Sequence, residues 1–264
     1  MSDLLKDKSV VIIGGTTGMG LSAAKACLAE GACMVVVGRD RESSDKAQSE
    51  LGKSARVLTG DAIDPATAVG AIASAVNSFG TLHALYHVAG GSGRRLGDGP
   101  LHEITDDGWR QTFDLNLTRL FNSNRAAVRQ FLKQNTGGSV LNMASVLGFS
   151  PSPQYFSTHA YAAAKAAAIG FTKAAASYYA PQNVRFNVLA PALVETPMSA
   201  RAANDAAIQK FIQAKQPLDG GRIGKPSDLD AAAVYFLSDQ SRFVTGQVLA
   251  IDGGWSVSDA GSRE

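Results

Sequence analysis

A glycine-rich turn between a β-branched run and a helical pattern places the strongest constraint on the fold of this chain. Residues 9–13 read Ser-Val-Val-Ile-Ile, which predicts a buried strand, and residues 21–30 predict a helix. Gly14, Gly18 and Gly20 lie in the turn between them. Glycines at this spacing let the backbone approach a phosphate at the helix N-terminus. The turn therefore predicts an α/β unit that binds a nucleotide, with a plain strand–helix connection as the alternative.

Strand-like and helix-like segments alternate along the rest of the chain. Six further apolar runs predict strands at residues 33–37, 55–59, 82–88, 139–143, 184–189 and 248–251. Helical patterns lie between them at residues 45–51, 66–79, 104–133, 161–179, 199–215 and 226–237. This alternation, with short turns, favours a parallel sheet with right-handed crossovers. The chain shows no internal repeat and no linker, so we expect one domain over residues 1–264.

The composition is that of an ordinary globular protein and argues against several classes of function. The net charge of +2 and the lack of a long basic run give no indication of nucleic-acid binding. No apolar stretch is long enough to span a bilayer, and the first residues lack the apolar core of a signal peptide. Cys27 and Cys33 are the only cysteines, which favours reduced thiols over a disulfide or a metal site. We therefore expect a cytoplasmic protein without a membrane, nucleic-acid or metal partner.

Tyr161 and Lys165 stand four residues apart in the alanine-rich run Tyr-Ala-Ala-Ala-Lys. Because alanine favours helix and positions i and i+4 share a helix face, we expect the phenol and the ammonium to point the same way. A nearby cation favours the phenolate, so Lys165 is expected to lower the pKa of Tyr161 from its usual value of about 10. A tyrosine tuned in this way can exchange a proton with a carbonyl or alcohol oxygen. A pair on a solvated helix face is the alternative.

Ser145 and Asn116 are candidates to join this pair. Ser145 follows the predicted strand at residues 139–143, so its hydroxyl is expected at the strand end, where it can hold a substrate oxygen. Asn116 lies in the middle of the helical segment 104–133, where an asparagine is mildly unfavourable. A buried asparagine needs hydrogen-bond partners, which favours a bent helix with a bound water.

The end of the second strand reads Gly38-Arg39-Asp40, at a position that selects between two dinucleotides. An acidic residue there suits the ribose hydroxyls of NAD, whereas an arginine suits the extra phosphate of NADP. Arg39 therefore favours NADP(H) over NAD(H), although Asp40 is acidic and Thr17 adds no second cation; Arg39 as a surface charge is the alternative. Asp61, after the third strand, either accepts from the adenine amino group or caps the next helix.

With these motifs in place, the chain resembles the short-chain dehydrogenase/reductase family from residue 9 to residue 255. The turn Gly14-x-x-x-Gly18-x-Gly20 resembles the family's cofactor loop, with Ile13 where a threonine is common. Residues 244–254 are similar to the family's last strand and turn. The positions of the family's catalytic tetrad match Asn116, Ser145, Tyr161 and Lys165. Several motifs in the right order make this resemblance more specific than any one of them.

The resemblance implies a fold and an activity. The fold is a single-domain Rossmann-type doubly wound α/β structure, with a seven-stranded parallel sheet and helices on both faces. It usually forms a homotetramer that packs through two long helices and the C-terminal region. The activity is hydride exchange between a nicotinamide cofactor and a substrate carbon, with Tyr161 as general acid in reduction and general base in oxidation. Lys165 would hold the nicotinamide ribose and lower the Tyr161 pKa, Ser145 would bind the reacting oxygen, and Asn116 would hold a water that links Lys165 to solvent.

The resemblance and the turn analysis together give a set of residues expected to contact the cofactor. They are Gly14, Thr16, Thr17, Gly18, Met19, Gly20, Arg39, Asp61, Ala62, Ala89, Gly90, Tyr161, Lys165, Pro191, Val194 and Thr196.

The chain departs from the family pattern at a few positions. His87 stands where the family often has an asparagine that braces neighbouring strands, and Ala192 replaces a glycine. The segment between the catalytic serine and tyrosine carries Tyr155 and Phe156. These aromatic side chains either line the substrate pocket or pack on the protein or on a neighbouring subunit.

The substrate is the least determined part of the prediction. Residues 192–216 are expected to form a lid, and this lid and the arginine-containing loop at residues 91–101 would decide which small molecule enters. Arg94 and Arg95 either attract an anionic substrate or are solvated. The leading hypothesis is an NADP(H)-dependent reductase of a ketone or 3-oxoacyl group. The alternatives are an NAD-dependent alcohol dehydrogenase of the sugar or steroid type and a non-catalytic nucleotide-binding protein.

Overall fold

The fold is built on a seven-stranded parallel sheet, seen in a computed structural model that describes residues 3–259. The strands are β1 (Ser9–Ile13), β2 (Cys33–Gly38), β3 (Ala55–Thr59), β4 (Ala84–His87), β5 (Gly138–Met143), β6 (Val184–Pro191) and β7 (Val248–Ile251). Their order in the sheet is β3-β2-β1-β4-β5-β6-β7, and all six neighbouring pairs are parallel. The predicted sheet is confirmed. Of the domain expected over residues 1–264, residues 1–2 and 260–264 lie outside the described part.

Ten α-helical segments occur in the described part of the chain. They are α1 (Gly18–Ala29), α2 (Arg41–Leu51), α3 (Pro65–Phe79), α4 (Asp106–Phe113), α5 (Arg119–Gln134), α6 (Pro153–Phe156), α7 (His159–Tyr179), α8 (Ala200–Ala203), α9 (Ala206–Lys215) and α10 (Asp230–Leu237). Among these residues no helix has the length and apolarity needed to cross a membrane.

Both faces of the sheet are buried under helices, as the continuous apolar runs of the strands require. In β1, Val10 and Ile12 pack in a core with α1 and α10, whereas Val11 and Ile13 pack in a second core with α3 and α5. All four side chains are at most 1% exposed. Burying one such side chain stabilises the fold by roughly 1.5–3 kcal/mol, so each central strand fixes the layers on both of its sides.

Two predicted helices begin earlier than the sequence pattern indicated. The first begins at Gly18 instead of residue 21, because the last residues of the glycine turn already form the first helical turn. The second begins at Arg41 instead of residue 45, because the Asp40 carboxylate accepts a hydrogen bond from the Ser43 amide at 2.8 Å and caps the helix there.

Two other predicted elements were wrong in extent. The helix expected over residues 199–215 is broken into α8 and α9, because the Asp205 side chain accepts from the Ala207 and Ile208 amides and starts a new helix. The strand expected over residues 82–88 is only Ala84–His87, and the Leu82 amide instead donates to the side chain of Gln134. In the segment predicted as a helix over residues 226–237, the first turn is a 3-10 helix, Pro226–Leu229.

The strand order reverses direction next to β1. From β1 the chain builds outward through β2 and β3, then returns to the other side of β1 with β4 and continues to β7. A crevice opens at the carboxyl ends of the strands at such a reversal, and ligands of doubly wound sheets bind there. The glycine turn after β1 and the segments after β4, β5 and β6 all meet at this edge.

Candidate active site

A cavity of about 510 Å³ lies at the carboxyl edge of the sheet and collects three of the four predicted catalytic residues. Ser145, Tyr161 and Lys165 line it, whereas Asn116 is buried behind the segment that follows β4. Ser145 reaches the cavity because it follows β5 directly, and the tyrosine and lysine reach it from the first turns of α7. The predicted constellation is therefore brought together at one point of the fold.

Lys165 is held deep in this site. Its side chain is 3% exposed, and its Nζ donates to the Met143 carbonyl at 3.0 Å. The same Nζ lies 5.6 Å from the centre of the Tyr161 ring, as expected for an i, i+4 pair on one helix face. Burial lowers the pKa of Lys165 to about 8, because a charged ammonium loses hydration there. A pKa near 8 still leaves the ammonium mostly protonated at pH 7.

The prediction that the pKa of Tyr161 lies below its usual value was wrong. Burial raises the pKa of Tyr161 to about 12, and hydrogen bonding to Ser145 lowers it only in part. The Lys165 Nζ lies 5.6 Å from the ring centre and donates to the Met143 carbonyl, and it does not offset the effect of burial. Loss of hydration therefore outweighs the neighbouring cation, and the phenol is protonated at neutral pH.

Ser145 is oriented by the turn that follows β5. Its hydroxyl accepts from the Leu147 amide at 3.2 Å and donates to the Pro191 carbonyl at 3.5 Å. The side chain is 7% exposed, so it is buried but still lines the cavity. The hydroxyl is thereby placed between the ends of β5 and β6, close enough to Tyr161 to affect its pKa.

Asn116 lies in a π-helical turn, Asp114–Thr118, that joins α4 to α5. The Asn116 side chain accepts from the Gly91 amide at 3.1 Å and donates to the Gly91 carbonyl at 2.9 Å, and it also donates to the Thr112 carbonyl at 3.0 Å. It therefore fastens the segment after β4 to this turn. A π-helical turn inside an α-helix frequently marks a functional site.

Asp98 is a site residue that the sequence analysis missed. It is 6% exposed, and its two carboxylate oxygens accept from the amides of Ala160 and Tyr161 at 2.9 Å each. It thus caps α7, whose own N-cap residue, Thr158, makes no side-chain cap bond. The bonds join residues more than sixty positions apart, so no local pattern could show them; the only signal was an acidic residue inside a glycine-rich loop.

His87 replaces the bracing asparagine with bonds of its own. The side chain is 1% exposed, its Nε2 is 2.9 Å from the Ala89 carbonyl oxygen, and its Nδ1 is 2.8 Å from the Ser123 hydroxyl. Burial lowers the pKa of His87 to about 3, with a smaller contribution from the charge of Lys165. The imidazole is therefore neutral and braces the end of β4 against α5.

A second cavity, of about 820 Å³, adjoins the first and runs along the glycine turn. Most of the predicted cofactor contacts line it, namely Gly14, Thr16, Thr17, Gly18, Met19, Arg39, Asp61, Ala62, Ala89, Gly90 and Thr196. Four of the remaining predicted contacts line the first cavity, namely Tyr161, Lys165, Pro191 and Val194. Met19, Gly90 and Thr196 line both, so the two cavities form a groove joined to a pocket.

Gly20 lines neither cavity, and its role is packing. A Cβ atom at Gly20 would lie 2.0 Å from the Gly14 carbonyl oxygen, so only glycine lets α1 approach the turn this closely. Gly14 itself has a φ of +88°, and a Cβ there would lie 2.5 Å from the Ala89 nitrogen. Because these two positions carry no side chain, the turn can pack closely on its neighbours. Space then remains in the groove for an anionic ligand at the N-terminus of α1.

The Gly38-Arg39-Asp40 segment lies at the far end of the groove. Arg39 and Asp40 are both exposed and both line the groove, and one oxygen of the Asp40 carboxylate also caps α2 at Ser43. A Cβ at Gly38 would lie 2.2 Å from the Thr16 hydroxyl, so the glycine accommodates a neighbouring threonine in this structure.

One of the two roles predicted for Asp61, capping the following helix, is wrong. Asp64 is the cap of α3 and accepts from the Ala66 amide at 2.8 Å. The Asp61 carboxylate pairs with Arg119 at 2.8 Å and also accepts from the Ile63 amide. It remains at the groove wall, where the adenine contact stays a prediction.

Of the two aromatic residues between Ser145 and Tyr161, one lines the substrate cavity and the other packs on the protein, so each of these two predicted roles is found. Phe156 lines the substrate cavity, and its ring lies 5.6 Å from that of Trp255. Tyr155 packs against Phe211 of α9 with ring centres 5.2 Å apart, and Phe211 packs on Trp255 at 5.8 Å. This aromatic cluster joins the segment before α7 to residues 192–216 and to the turn after β7.

Comparison with known proteins places this groove and pocket in a family. A family model described as enoyl-(acyl carrier protein) reductase matches residues 14–256. The chain is 32% identical to 2,5-dichloro-2,5-cyclohexadiene-1,4-diol dehydrogenase of Sphingobium indicum, over 97% of this chain and 99% of the relative. It is 30% identical to 3-oxoacyl-(acyl-carrier-protein) reductase FabG of Chlamydia trachomatis, over 96% and 99%.

Solved structures agree in fold. A short-chain type dehydrogenase/reductase from Mycobacterium ulcerans superposes with a TM-score of 0.88 at 28% identity, covering 96% of this chain and 91% of that one. A 3-ketoacyl-(acyl-carrier-protein) reductase from Brucella melitensis, complexed with NADH, superposes with a TM-score of 0.83 at 26% identity, covering 96% and 99%. The chain therefore belongs to the short-chain dehydrogenase/reductase family of NAD(P)-dependent oxidoreductases.

Proposed function

We propose that this protein exchanges a hydride between NADP(H) and a ketone or its secondary alcohol, with Tyr161 as the general acid and base. The observation that carries the proposal is the junction of the two cavities, where the groove of the glycine turn opens beside Ser145, Tyr161 and Lys165. The nicotinamide of a bound cofactor would supply or accept the hydride. The residues of this chain supply the binding of both molecules and the movement of one proton.

Each catalytic residue has a role that its contacts support. Ser145 holds the substrate oxygen with its buried hydroxyl. Tyr161, protonated at neutral pH because its pKa is raised to about 12, donates its proton to that oxygen during reduction and recovers it during oxidation. Lys165 is a buried cation that binds the nicotinamide ribose and favours the phenolate once Tyr161 has given up its proton. Asn116 keeps the Gly91 backbone against the groove and serves as the end of a water path from Lys165.

The proposed cofactor residues fit a dinucleotide. Gly14, Gly18 and the N-terminus of α1 bind the pyrophosphate, and Asp61 with Ala62 borders the adenine. Arg39 supports NADP(H), because its exposed guanidinium lines the groove and can bind a phosphate. The adjacent Asp40 lines the groove as well, with one carboxylate oxygen bound by the Ser43 amide.

An NAD-dependent alcohol dehydrogenase is the second candidate. It is favoured by the name of the Sphingobium relative, a diol dehydrogenase, and by the NADH in the Brucella structure. The two candidates share the pocket and differ in what Arg39 binds.

The proposal extends to the organisation of the molecule. Residues 192–216, with Thr196 and Met198 at the junction of the cavities, act as a lid within a single catalytic domain. The enzyme works as a homotetramer, which is supported by exposed apolar side chains on the two long helices α5 and α7: Phe121, Leu132 and Tyr178 are 40%, 47% and 72% exposed. Sedimentation of a four-chain species would check this. The free thiols of Cys27 and Cys33 support a cytoplasmic location.

Replacing Tyr161 tests the proposed chemistry. In Tyr161→Phe we expect kcat/KM for NADPH-dependent reduction of a ketone panel to fall at least about 100-fold, because general acid catalysis contributes roughly that much or more. NADPH affinity, measured by nucleotide fluorescence, should be unchanged. Tyr178→Phe, on the same helix but exposed, is the matched control. Full turnover by Tyr161→Phe would refute the role of this hydroxyl, and no turnover by the unmodified protein would favour the non-catalytic alternative.

A further inference from the structure

The lining of the substrate cavity is cationic. Four basic residues line it, namely Arg94, Arg95, Lys165 and Arg201, and no Asp or Glu stands among the described residues of the lining. Lys165 belongs to the catalytic group, and Arg95 also lines the nucleotide groove. Arg94 and Arg201 therefore remain as two cations that belong to the substrate cavity alone.

These two arginines are held beside one another. The Arg94 Nη2 atom donates to the Tyr155 carbonyl oxygen at 2.8 Å, and the Arg201 Nη2 atom approaches the same oxygen at 3.5 Å. Because one oxygen accepts from both, the two guanidinium groups lie close together. Partial loss of hydration and the charge of Arg201 lower the pKa of Arg94, as expected for like charges brought near each other, and the charge of Asp98 opposes them. Within residues 3–259 neither arginine takes part in an ion pair.

Arg94 has a fixed position relative to the reacting groups. It begins a 3-10 turn, Arg94–Leu96, in the loop that follows β4. Buried Gly93 precedes it, and the Gly93 carbonyl accepts from the amides of Leu96 and Asp98. The carboxylate of Asp98 in turn binds the first turn of α7, which carries Tyr161. The loop is thus tied to the catalytic helix, and its first arginine is more than a loose surface charge.

Arg201 belongs to a different element, α8 of the lid segment. An anion bound by both arginines would therefore bridge the loop after β4 and the lid. Guanidinium groups bind carboxylates, sulfonates and phosphates through pairs of N–H donors, which a single carbonyl oxygen does not use up. The lining of the same cavity also includes large apolar side chains, among them Leu147, Phe156 and Trp255.

We propose that Arg94 and Arg201 form an anion subsite, and that the substrate carries an oxyanion group in addition to the carbonyl that is reduced. The oxyanion is a carboxylate, a sulfonate or a phosphate, joined to the carbonyl by a short apolar chain. This inference rests on the proposed function, because it places the carbonyl at Ser145 and Tyr161.

A binding experiment tests the subsite without turnover. In Trp109→Phe, Trp255 is the only tryptophan, and it lines the cavity. We would saturate this protein with NADP⁺, so that the nucleotide groove is filled, and titrate butanoate, propane-1-sulfonate and propylphosphonate while recording tryptophan fluorescence. Butanamide is the neutral probe. At least one anion should give a saturable change at concentrations tenfold below any change caused by butanamide, and the relative affinities distinguish the three oxyanions.

Variants locate the binding. Arg94→Gln and Arg201→Gln, each in the Trp109→Phe background, should weaken the anion about tenfold and leave butanamide unchanged. The matched control is Arg56→Gln, which removes one exposed positive charge from β3, outside both cavities. Equal binding of anion and amide, or an equal effect of all three substitutions, would overturn the subsite.

Turnover separates the subsite from the proposed function. 4-Oxopentanoate and its methyl ester present the same ketone with and without a charge. We expect the acid to have the higher kcat/KM with NADPH, and Arg94→Gln to remove that preference mainly through KM. Equal, Tyr161-dependent reduction of both compounds would reject the subsite and retain the reductase. Arginine-dependent binding of the anion without NADPH-dependent reduction of any ketone would retain the subsite and reject the reductase.

Discussion

Burial and charge act on the Tyr161 hydroxyl in opposite directions, and burial is stronger. Burial raises its pKa to about 12, so the phenol is protonated at neutral pH. In the proposed mechanism this protonated group would serve as the acid of the reduction. Oxidation would need the phenolate, which the positive charge of an oxidised nicotinamide would favour.

The proposed preference for NADP(H) also depends on a single residue, Arg39. In Arg39→Asp we expect NADPH affinity to fall at least tenfold, about 1.4 kcal/mol, while NADH affinity is unchanged, because only the 2′-phosphate meets the lost guanidinium. Fluorescence titration of both nucleotides measures this. Arg41→Asp makes the same charge change two residues away, where the side chain pairs with Asp45 outside the groove. Equal effects of the two substitutions would show that Arg39 is only a surface charge.

Site residues were predictable from sequence where the contact is local. Tyr161 and Lys165 share a helix turn, Ser145 follows a strand, and the glycines lie in one turn, so spacing together with the family resemblance indicated them. Asp98 and Arg201 were missed because their partners, the Tyr161 amide and the Tyr155 carbonyl, are brought near only by the fold. The pKa of Tyr161 was mispredicted for the same reason, since burial depends on the whole surrounding structure.

At the scale of elements, the catalytic helix α7 depends on a carboxylate from another segment. Asp98 accepts from two amides at the start of α7, where its negative charge also interacts favourably with the positive end of the helix dipole. The orientation of the first turn, and so of Tyr161, follows from a loop that also carries Arg94. This arrangement couples the helix that performs the chemistry to the segment that faces the substrate.

Asp98→Ala is expected to lower both stability and turnover. Loss of an N-terminal cap costs about 0.5–2 kcal/mol of unfolding free energy, and the released first turn should lower kcat about tenfold with NADPH affinity unchanged. Asp64→Ala, which removes the cap of α3 away from the pocket, should match the loss of stability in denaturant titrations and leave kcat unchanged. Asp98→Asn, with one acceptor oxygen, should lie between. An unchanged kcat in folded Asp98→Ala would limit this residue to a structural role.

The extents of elements were harder to predict than their existence. All seven strands were found because each is a short β-branched or apolar run, although only the central ones are buried on both faces. Helix starts were missed where a side chain cap outweighs the apolar period, as at Asp40 and Asp205. An irregularity at Asn116 was expected from one unfavourable residue, whereas the π-helical turn found there was not predicted.

At the scale of the whole molecule, buried His87 should make stability depend on pH. Its folded pKa is about 3 against about 6.5 when unfolded, so the unfolded chain binds more protons between these values. The free energy of unfolding should therefore fall as the pH is lowered below about 6.5, by up to about 1.4 kcal/mol per pH unit from this group. Above pH 6.5 its contribution to the slope disappears.

Denaturant titrations between pH 7.5 and pH 5 measure this slope. His87→Asn, which introduces the residue that the family often has at this position, should make it shallower, whereas exposed His102→Asn should leave it unchanged. Partly buried His83, whose pKa is also lowered by burial, contributes in the same direction and remains in both variants. An identical slope in His87→Asn and the unmodified protein would mean that the imidazole is protonated without penalty.

Trp255 makes the two cavities differ in how much of the chain they require. Its ring closes the aromatic cluster with Phe156 and Phe211, and its Nε1 donates to the Ser150 carbonyl, although it lies beyond β7 in the chain. The residues that line the nucleotide groove all lie between Gly14 and Met198, whereas the lining of the substrate cavity also includes Trp255. The wall of the substrate cavity is therefore complete only when the segment after β7 is in place, while every side chain of the groove lies before that strand.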